Sequence, residues 1–271
     1  MTTQTIKTSH ANIALTDTGG DGPVLLMIHG NSSCRQVFRN QLEGEIGKVY
    51  RCIAFDLPGH GESSNAFSPD KTYWMPGYAD TAIEVMKELG IPNYAVLGWS
   101  LGGHIGLEML ARTDAMTGLM ITGTPPVEPK EESLGAGFKP SEHMGLAGQQ
   151  DFTEQNVSDY AHSTCGVNAP FEPFLLEAVA RTDGRARALM FSRILAPEGC
   201  NQQEIAIHAK VPLAIVNGEE DVFINNDYIA AIPYENLWED TVYRLPGIGH
   251  APFWEVPDLF DPYLSRFMQS L

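Results

Sequence analysis

Three residues of this chain could together perform nucleophilic chemistry: Ser100, Asp221 and His250. Ser100 is the centre of Gly98-Trp99-Ser100-Leu101-Gly102, preceded by the apolar run Tyr94–Leu97 and followed by the helical stretch Ile105–Leu110. A strand, a sharp turn carrying serine and then a helix present a hydroxyl at a helix N-terminus. There the dipole and unpaired N–H groups favour developing negative charge. Side chains two residues before and after such a serine would collide, so Gly98 and Gly102 clear the space. A serine hydroxyl is a weak nucleophile near neutral pH; it needs a base in contact, and the base needs an anchor. His250 would take the Ser100 proton, and Asp221 would hold the other ring nitrogen and stabilise the imidazolium. Glu219 and Glu220 stand beside Asp221 as rivals for the anchoring role. A lone Gly-x-Ser-x-Gly also fits a glycine-rich turn with an idle serine, so the partners and their chain order carry the argument.

The elements that must position these residues are legible in outline. Ile6 to Leu15 alternates loosely, as an edge hairpin strand does, and Asp17–Pro23 is a turn cluster. Val24–Ile28 is a continuous apolar run of the kind buried on both faces of a parallel sheet. It ends in His29-Gly30-Asn31-Ser32-Ser33, where Gly30 lets the backbone turn inward and the Asn31 N–H would face the site. Arg51–Phe55 is the next strand and runs into Asp56-Leu57-Pro58-Gly59-His60-Gly61-Glu62-Ser63. Tyr78 to Leu89 has helical spacing and ends at Gly90. Leu119–Thr122, Val211–Val216 and Thr241–Leu245 complete the strand signals, and a terminal helix follows the last of them. Ser100, Asp221 and His250 each follow a predicted strand, so all three would gather at the carboxyl edge of the sheet.

Between about residues 127 and 208 no buried strand run appears, whereas 151–161 and 174–180 have helical patterns. A structureless loop of that length is improbable in a compact domain. The expected organisation is an α/β core over 1–126 and 209–271, with a mainly helical cap, 127–208, inserted after the sixth core strand.

Composition narrows the function classes. A net charge of −17 leaves no basic stripe to neutralise nucleic-acid phosphates or an anionic membrane. Apolar strings such as Val24–Ile28 are far too short to cross a bilayer. Met1–Lys7 lacks the apolar core of a secretory leader. The expectation is a cytoplasmic protein with Cys34, Cys52, Cys165 and Cys200 reduced. No His-x-His or His-x-x-Glu-His cluster exists, the cysteines lack zinc spacing, and no Gly-x-Gly-x-x-Gly follows a strand. No metal or cofactor is therefore expected. Asp56, His29 and His60 are assigned structural roles in their loops. His104, one helical turn beyond Ser100, is assigned to packing, and His10, His143, His162 and His208 are isolated.

The chain resembles the N-acyl homoserine lactone hydrolases of the α/β-hydrolase fold, quorum-quenching lactonases that work without metal. The resemblance rests on Leu26–Ser33, Gln41–Lys48, Gly98–Gly106, Leu119–Val127, Ser163–Gly166, Val179–Arg187 and Gly249–Phe253, so it spans core and cap. It implies a mostly parallel sheet flanked by helices, and the chain order serine, acid, histidine is that of this fold. It also implies a serine hydrolase that opens the ring of a homoserine lactone bearing an acyl amide tail. The N–H groups of Asn31 and Leu101 would hold the oxyanion. Gly30, Asn31, Trp99 and Tyr160 would frame the lactone and amide, and the cap would supply a groove for the tail. The Gly218-x-x-Asp221 spacing matches the family's acid loop and favours Asp221 over the two glutamates. The chain departs from the family there, since its relatives carry glutamate at that place. A carboxylesterase or C–C bond hydrolase would use the same triad. Ser100 speaks against epoxide hydrolase and dehalogenase chemistry, which need aspartate at the turn. A ligand receptor of this fold often lacks a triad member, and this chain has all three.

Overall fold

The computed structural model describes residues 1–141, 143–166 and 168–271. Among them, eight strands form one sheet: β1 (Thr2–Lys7), β2 (Asn12–Asp17), β3 (Val24–Ile28), β4 (Arg51–Phe55), β5 (Tyr94–Trp99), β6 (Met116–Thr122), β7 (Leu213–Gly218) and β8 (Leu237–Leu245). Their spatial order is β1-β2-β4-β3-β5-β6-β7-β8. β1 and β2 run antiparallel at one edge, and β3 to β8 pair in parallel.

The central strands are largely apolar because both faces of the sheet are covered. The period of two divides their side chains between two cores. Leu26, Ile28, Val96 and Ile121 face one apolar cluster, with Tyr78, Ala82 and Val85 of the helix Met75–Glu88 and Ile105 of the helix Leu101–Leu110. Leu25, Met27, Ala95 and Leu97 face the other, packed with Phe260, Leu264 and Phe267 of the helix Pro257–Gln269. This arrangement fixes the carboxyl ends of β3, β5, β6 and β7, where the loops of interest leave the sheet.

Between β6 and β7 the described residues form helices and turns: Glu131–Gly137, Glu154–Thr164, Pro173–Arg181, Gly184–Ser192 and Gln202–Ile207. The helix expected from 151 begins at Glu154, because Thr153 caps it by accepting the Asn156 N–H at 3.2 Å. The two ends of the sheet also differ from the sequence reading. Ile6–Leu15 contains the turn of a β1–β2 hairpin, closed by Thr8, whose N–H and hydroxyl both donate to the Ala11 carbonyl at 3.0 and 2.9 Å. β8 begins at Leu237 rather than Thr241. Glu239 and Asp240 sit in the left-handed region (φ 54° and 48°), so the strand bulges and its apolar run is broken by exposed acids.

Candidate active site

Ser100 occupies the turn between β5 and the helix Leu101–Leu110 with φ 53° and ψ −117°, a region that non-glycine residues rarely adopt. Its backbone is held from both sides. The Ser100 N–H donates to the Thr122 carbonyl at 2.9 Å, and its own carbonyl accepts from the Thr124 hydroxyl at 2.8 Å. The flanking glycines are required by close approach. A Cβ on Gly98 would lie 2.4 Å from the Gly102 carbonyl oxygen, and one on Gly102 would lie 2.0 Å from that of Ile28.

β7 and β8 deliver the other two groups. Oδ2 of Asp221 lies 2.7 Å from Nδ1 of His250, and both residues are buried. The second Asp221 oxygen accepts the Phe223 N–H at 2.8 Å, which fixes the carboxylate plane. Glu219 and Glu220 are exposed, so of the three neighbouring acids Asp221 is the one that meets the histidine. The His250 carbonyl accepts from Trp99 Nε1 at 2.9 Å, and the Phe223 ring meets the imidazole edge-on with centroids 4.8 Å apart. Gly123, in the loop after β6, completes the seat. Its φ is +64°, and a Cβ there would fall 2.8 Å from Cε1 of His250. With Nδ1 engaged, Nε2 is the ring nitrogen left for Ser100, which borders the same cavity. The Ser100 hydroxyl takes no partner among the described residues.

The amides of Asn31 and Leu101 make no hydrogen bond among the described residues, so both remain available to an anion. Gly30 packs under the turn: a Cβ there would lie 3.1 Å from the Trp99 ring and 3.2 Å from Cβ of Ser100. The Asn31 side chain reaches across to the segment between β6 and β7. Its Nδ2 donates to the Ala147 carbonyl at 2.9 Å and to the Tyr160 hydroxyl oxygen at 3.2 Å. Burial pushes the Tyr160 phenol up to about 12, against the opposing pull of the Asn31 bond. Tyr160 therefore keeps its proton at neutral pH.

These groups share a cavity of about 490 Å³. Its polar border includes Asn31, Ser100, Tyr160 and His250; its apolar border includes Leu134, Phe138, Met190 and Phe191 from the segment between β6 and β7 and Met75 from the helix Met75–Glu88. Sequence reasoning missed Gly123, Phe223 and these apolar side chains. The signal for the last was present, since apolar residues recur on the helices between β6 and β7, but periodicity does not say which apolar face meets a cavity.

His104 also borders the cavity, so its assignment to packing was incomplete. Its Nδ1 donates to Gln202 Oε1 at 2.6 Å, and burial pulls its pKa down to about 4. His29 and His60 are buried and tied to backbone: His29 accepts the Leu57 N–H at 3.0 Å, and His60 Nδ1 donates to the Pro58 carbonyl at 3.0 Å. Asp56 is paired with Arg35. Among the described residues no group of three or more His, Cys, Asp or Glu side chains is gathered to hold a metal ion.

Residues 23–257 match the α/β hydrolase fold family. The chain belongs to the α/β-hydrolase family. Within it, the N-acyl homoserine lactonase AidH, solved in complex with N-butanoyl homoserine, is 51% identical, with a TM-score of 0.96 over 99% of this chain and 97% of that one. A pimeloyl-[acyl-carrier protein] methyl ester esterase of Nitrosospira multiformis is 25% identical over 266 residues, 92% of this hydrolase and 95% of the esterase. Esterase RhEst1 from Rhodococcus sp. ECU1013, 21% identical with a TM-score of 0.79 over all of both chains, shares the fold.

Proposed function

We propose that this hydrolase opens the lactone ring of N-acyl homoserine lactones by ester hydrolysis and thereby quenches quorum signals. The observation that carries the reading is the joint border of one cavity. The elbow serine and His250, backed by the buried Asp221, meet there with the Asn31–Tyr160 pair and an apolar wall. Its 51% identity to the lactonase AidH over nearly the whole chain supports the same substrate class.

In this mechanism Nε2 of His250 accepts the Ser100 proton as the hydroxyl oxygen attacks the ring carbonyl carbon. The carbonyl oxygen becomes an oxyanion that the Asn31 and Leu101 N–H groups stabilise, as backbone donors aimed at developing charge do. Asp221 stabilises the imidazolium. Collapse breaks the ring C–O bond, and the imidazolium returns its proton to the alkoxide. The leaving group stays tethered, so ring closure competes until water, deprotonated by His250, attacks the acyl-enzyme and releases N-acyl homoserine. Trp99 and Gly30 shape the floor beneath the lactone, Tyr160 and Asn31 hold its polar edge, and the apolar cap wall takes the tail. We divide the chain functionally into the core, 1–126 and 209–271, and the cap, 127–208. A cytoplasmic setting belongs to the same reading, supported by four unpaired cysteines.

The test is mass spectrometry of products from acyl homoserine lactones, beside p-nitrophenyl esters and a vinylogous diketone. Addition of one water to the lactone, at the highest kcat/KM of the panel, is the expected result. Release of free fatty acid, or preference for the simple esters or the diketone, would contradict it.

A further inference from the structure

The cap segment Arg181-Thr182-Asp183-Gly184-Arg185-Ala186-Arg187 has no part in the scheme above, yet it joins the cap to two core loops. The Asp183 N–H donates to the Gly59 carbonyl at 2.9 Å, and Arg181 Nη2 donates to the Ser63 carbonyl at 2.7 Å. Arg187 reaches the other loop, the one that carries Asn31. It is 3% exposed, and among the described residues no carboxylate pairs with its guanidinium. Its Nε and Nη2 donate to the carbonyls of Gln149 and Gln150 at 2.8 and 3.0 Å, and its Nη1 donates to Ser32 Oγ at 3.3 Å. The guanidinium also stacks on Phe152, 3.9 Å from the ring centroid, and Phe152 meets Tyr160 edge-on.

Ser32 is a left-handed non-glycine residue (φ 56°), a conformation that persists only where its surroundings hold it. Its hydroxyl donates to Asn31 Oδ1 at 3.3 Å, and Asn31 Nδ2 donates to the Tyr160 oxygen at 3.2 Å. The hydrogen bonds run in one direction from the cation: Arg187 to Ser32, Ser32 to Asn31, Asn31 to Tyr160. Each group accepts from the one before, and the Tyr160 proton at the end is left for the cavity. A chain headed by a buried cation polarises along its length.

We propose that Arg187 is a positioning residue for the lactone site: it holds Ser32 and orients the Asn31–Tyr160 pair, so that Tyr160 is aimed to donate its proton to a substrate carbonyl. The inference rests on the acyl lactone reading. It gives the Arg187 stretch of the cap a role in transition-state geometry beyond attachment.

The experiment measures kcat and KM for an acyl homoserine lactone and for p-nitrophenyl acetate, which has no amide tail. The proteins are the full-length wild type, Arg187→Met, Arg187→Lys, Ser32→Ala, Tyr160→Phe and the double variant Arg187→Met with Tyr160→Phe. Misplacing a binding group by about 1 Å costs roughly 10²-fold. Arg187→Met should therefore lower kcat/KM on the lactone by roughly that factor, with a several-fold smaller loss on the acetate. Arg187→Lys keeps the charge without the fork and should recover part of the loss. In the Tyr160→Phe background, Arg187→Met should add little. Ser32→Ala breaks the same chain without removing the buried cation and should repeat the selective loss if Arg187→Met does not fold. Equal losses on both substrates, or losses that multiply in the double variant, would overturn the proposal and leave Arg187 a structural tie. A wild-type protein that turns over the acetate and no acyl lactone would refute the substrate reading itself, and the proposal with it.

Discussion

Asp221 meets His250 through a 2.7 Å contact between Oδ2 and Nδ1, and both side chains are withdrawn from solvent. Glu219 and Glu220, adjacent in sequence, point into water instead. Asp221→Asn should therefore lower kcat on the order of 10⁴-fold, as loss of the orienting acid leaves the wrong tautomer facing the serine. Glu219→Gln and Glu220→Gln should stay within a few-fold of wild type. Steady-state kinetics of the three variants decides this, and a severe Glu220→Gln defect would reassign the acid.

The apolar wall of the cavity predicts how rate depends on tail length. Each buried methylene contributes about 0.8 kcal/mol, a factor of roughly four in kcat/KM where the tail is seated in the transition state. Met190, 6% exposed on the helix Gly184–Ser192, borders the cavity. Met190→Trp should erase the gain from N-butanoyl to N-octanoyl substrates while sparing the butanoyl lactone. Unchanged chain-length dependence would mean that the tail lies elsewhere.

Stability should fall as pH drops below neutral. Burial lowers the pKa of His29, His60 and His104, the last to about 4. Their unfolded rings titrate near ~6.5. Between those values the unfolded chain binds protons that the folded chain refuses, so stability is intact above about 6.5 and is lost as pH falls toward 4. Asp261 works in the opposite sense over part of this window, because burial raises its pKa to about 6. His104→Gln keeps a donor toward Gln202 without a titrating ring. Its Tm should fall less than that of wild type between pH 7 and pH 5; an equal fall would show that His104 does not contribute.

Much of this architecture was legible in the sequence, for identifiable reasons. β3, β5 and β7 are buried on both faces, so their apolar runs are unbroken. The Ser100 turn declares itself because close backbone approach admits only glycine at 98 and 102. What stayed hidden depends on contacts distant in sequence. Gly123 matters because His250, from after β8, packs where its Cβ would be. Ser32 gives no sign of its left-handed backbone, since Arg187, the donor to its hydroxyl, lies 155 residues further along the chain. The cavity wall is invisible for the same reason, and the β8 boundary was lost where a bulge of exposed acids mimics a loop.

In the proposed mechanism Ser100 is the nucleophile on a lactone carbonyl. What tests this is kcat/KM for one N-acyl homoserine lactone with wild type and Ser100→Ala, both shown to be folded by circular dichroism and thermal melting. The uncatalysed ring opening is subtracted at the working pH. Loss of a triad nucleophile removes on the order of 10⁴- to 10⁶-fold in rate, with a residue contributed by the oxyanion donors and binding. A fall of that size with unchanged folding is the predicted result. Turnover by Ser100→Ala within tenfold of wild type would contradict it.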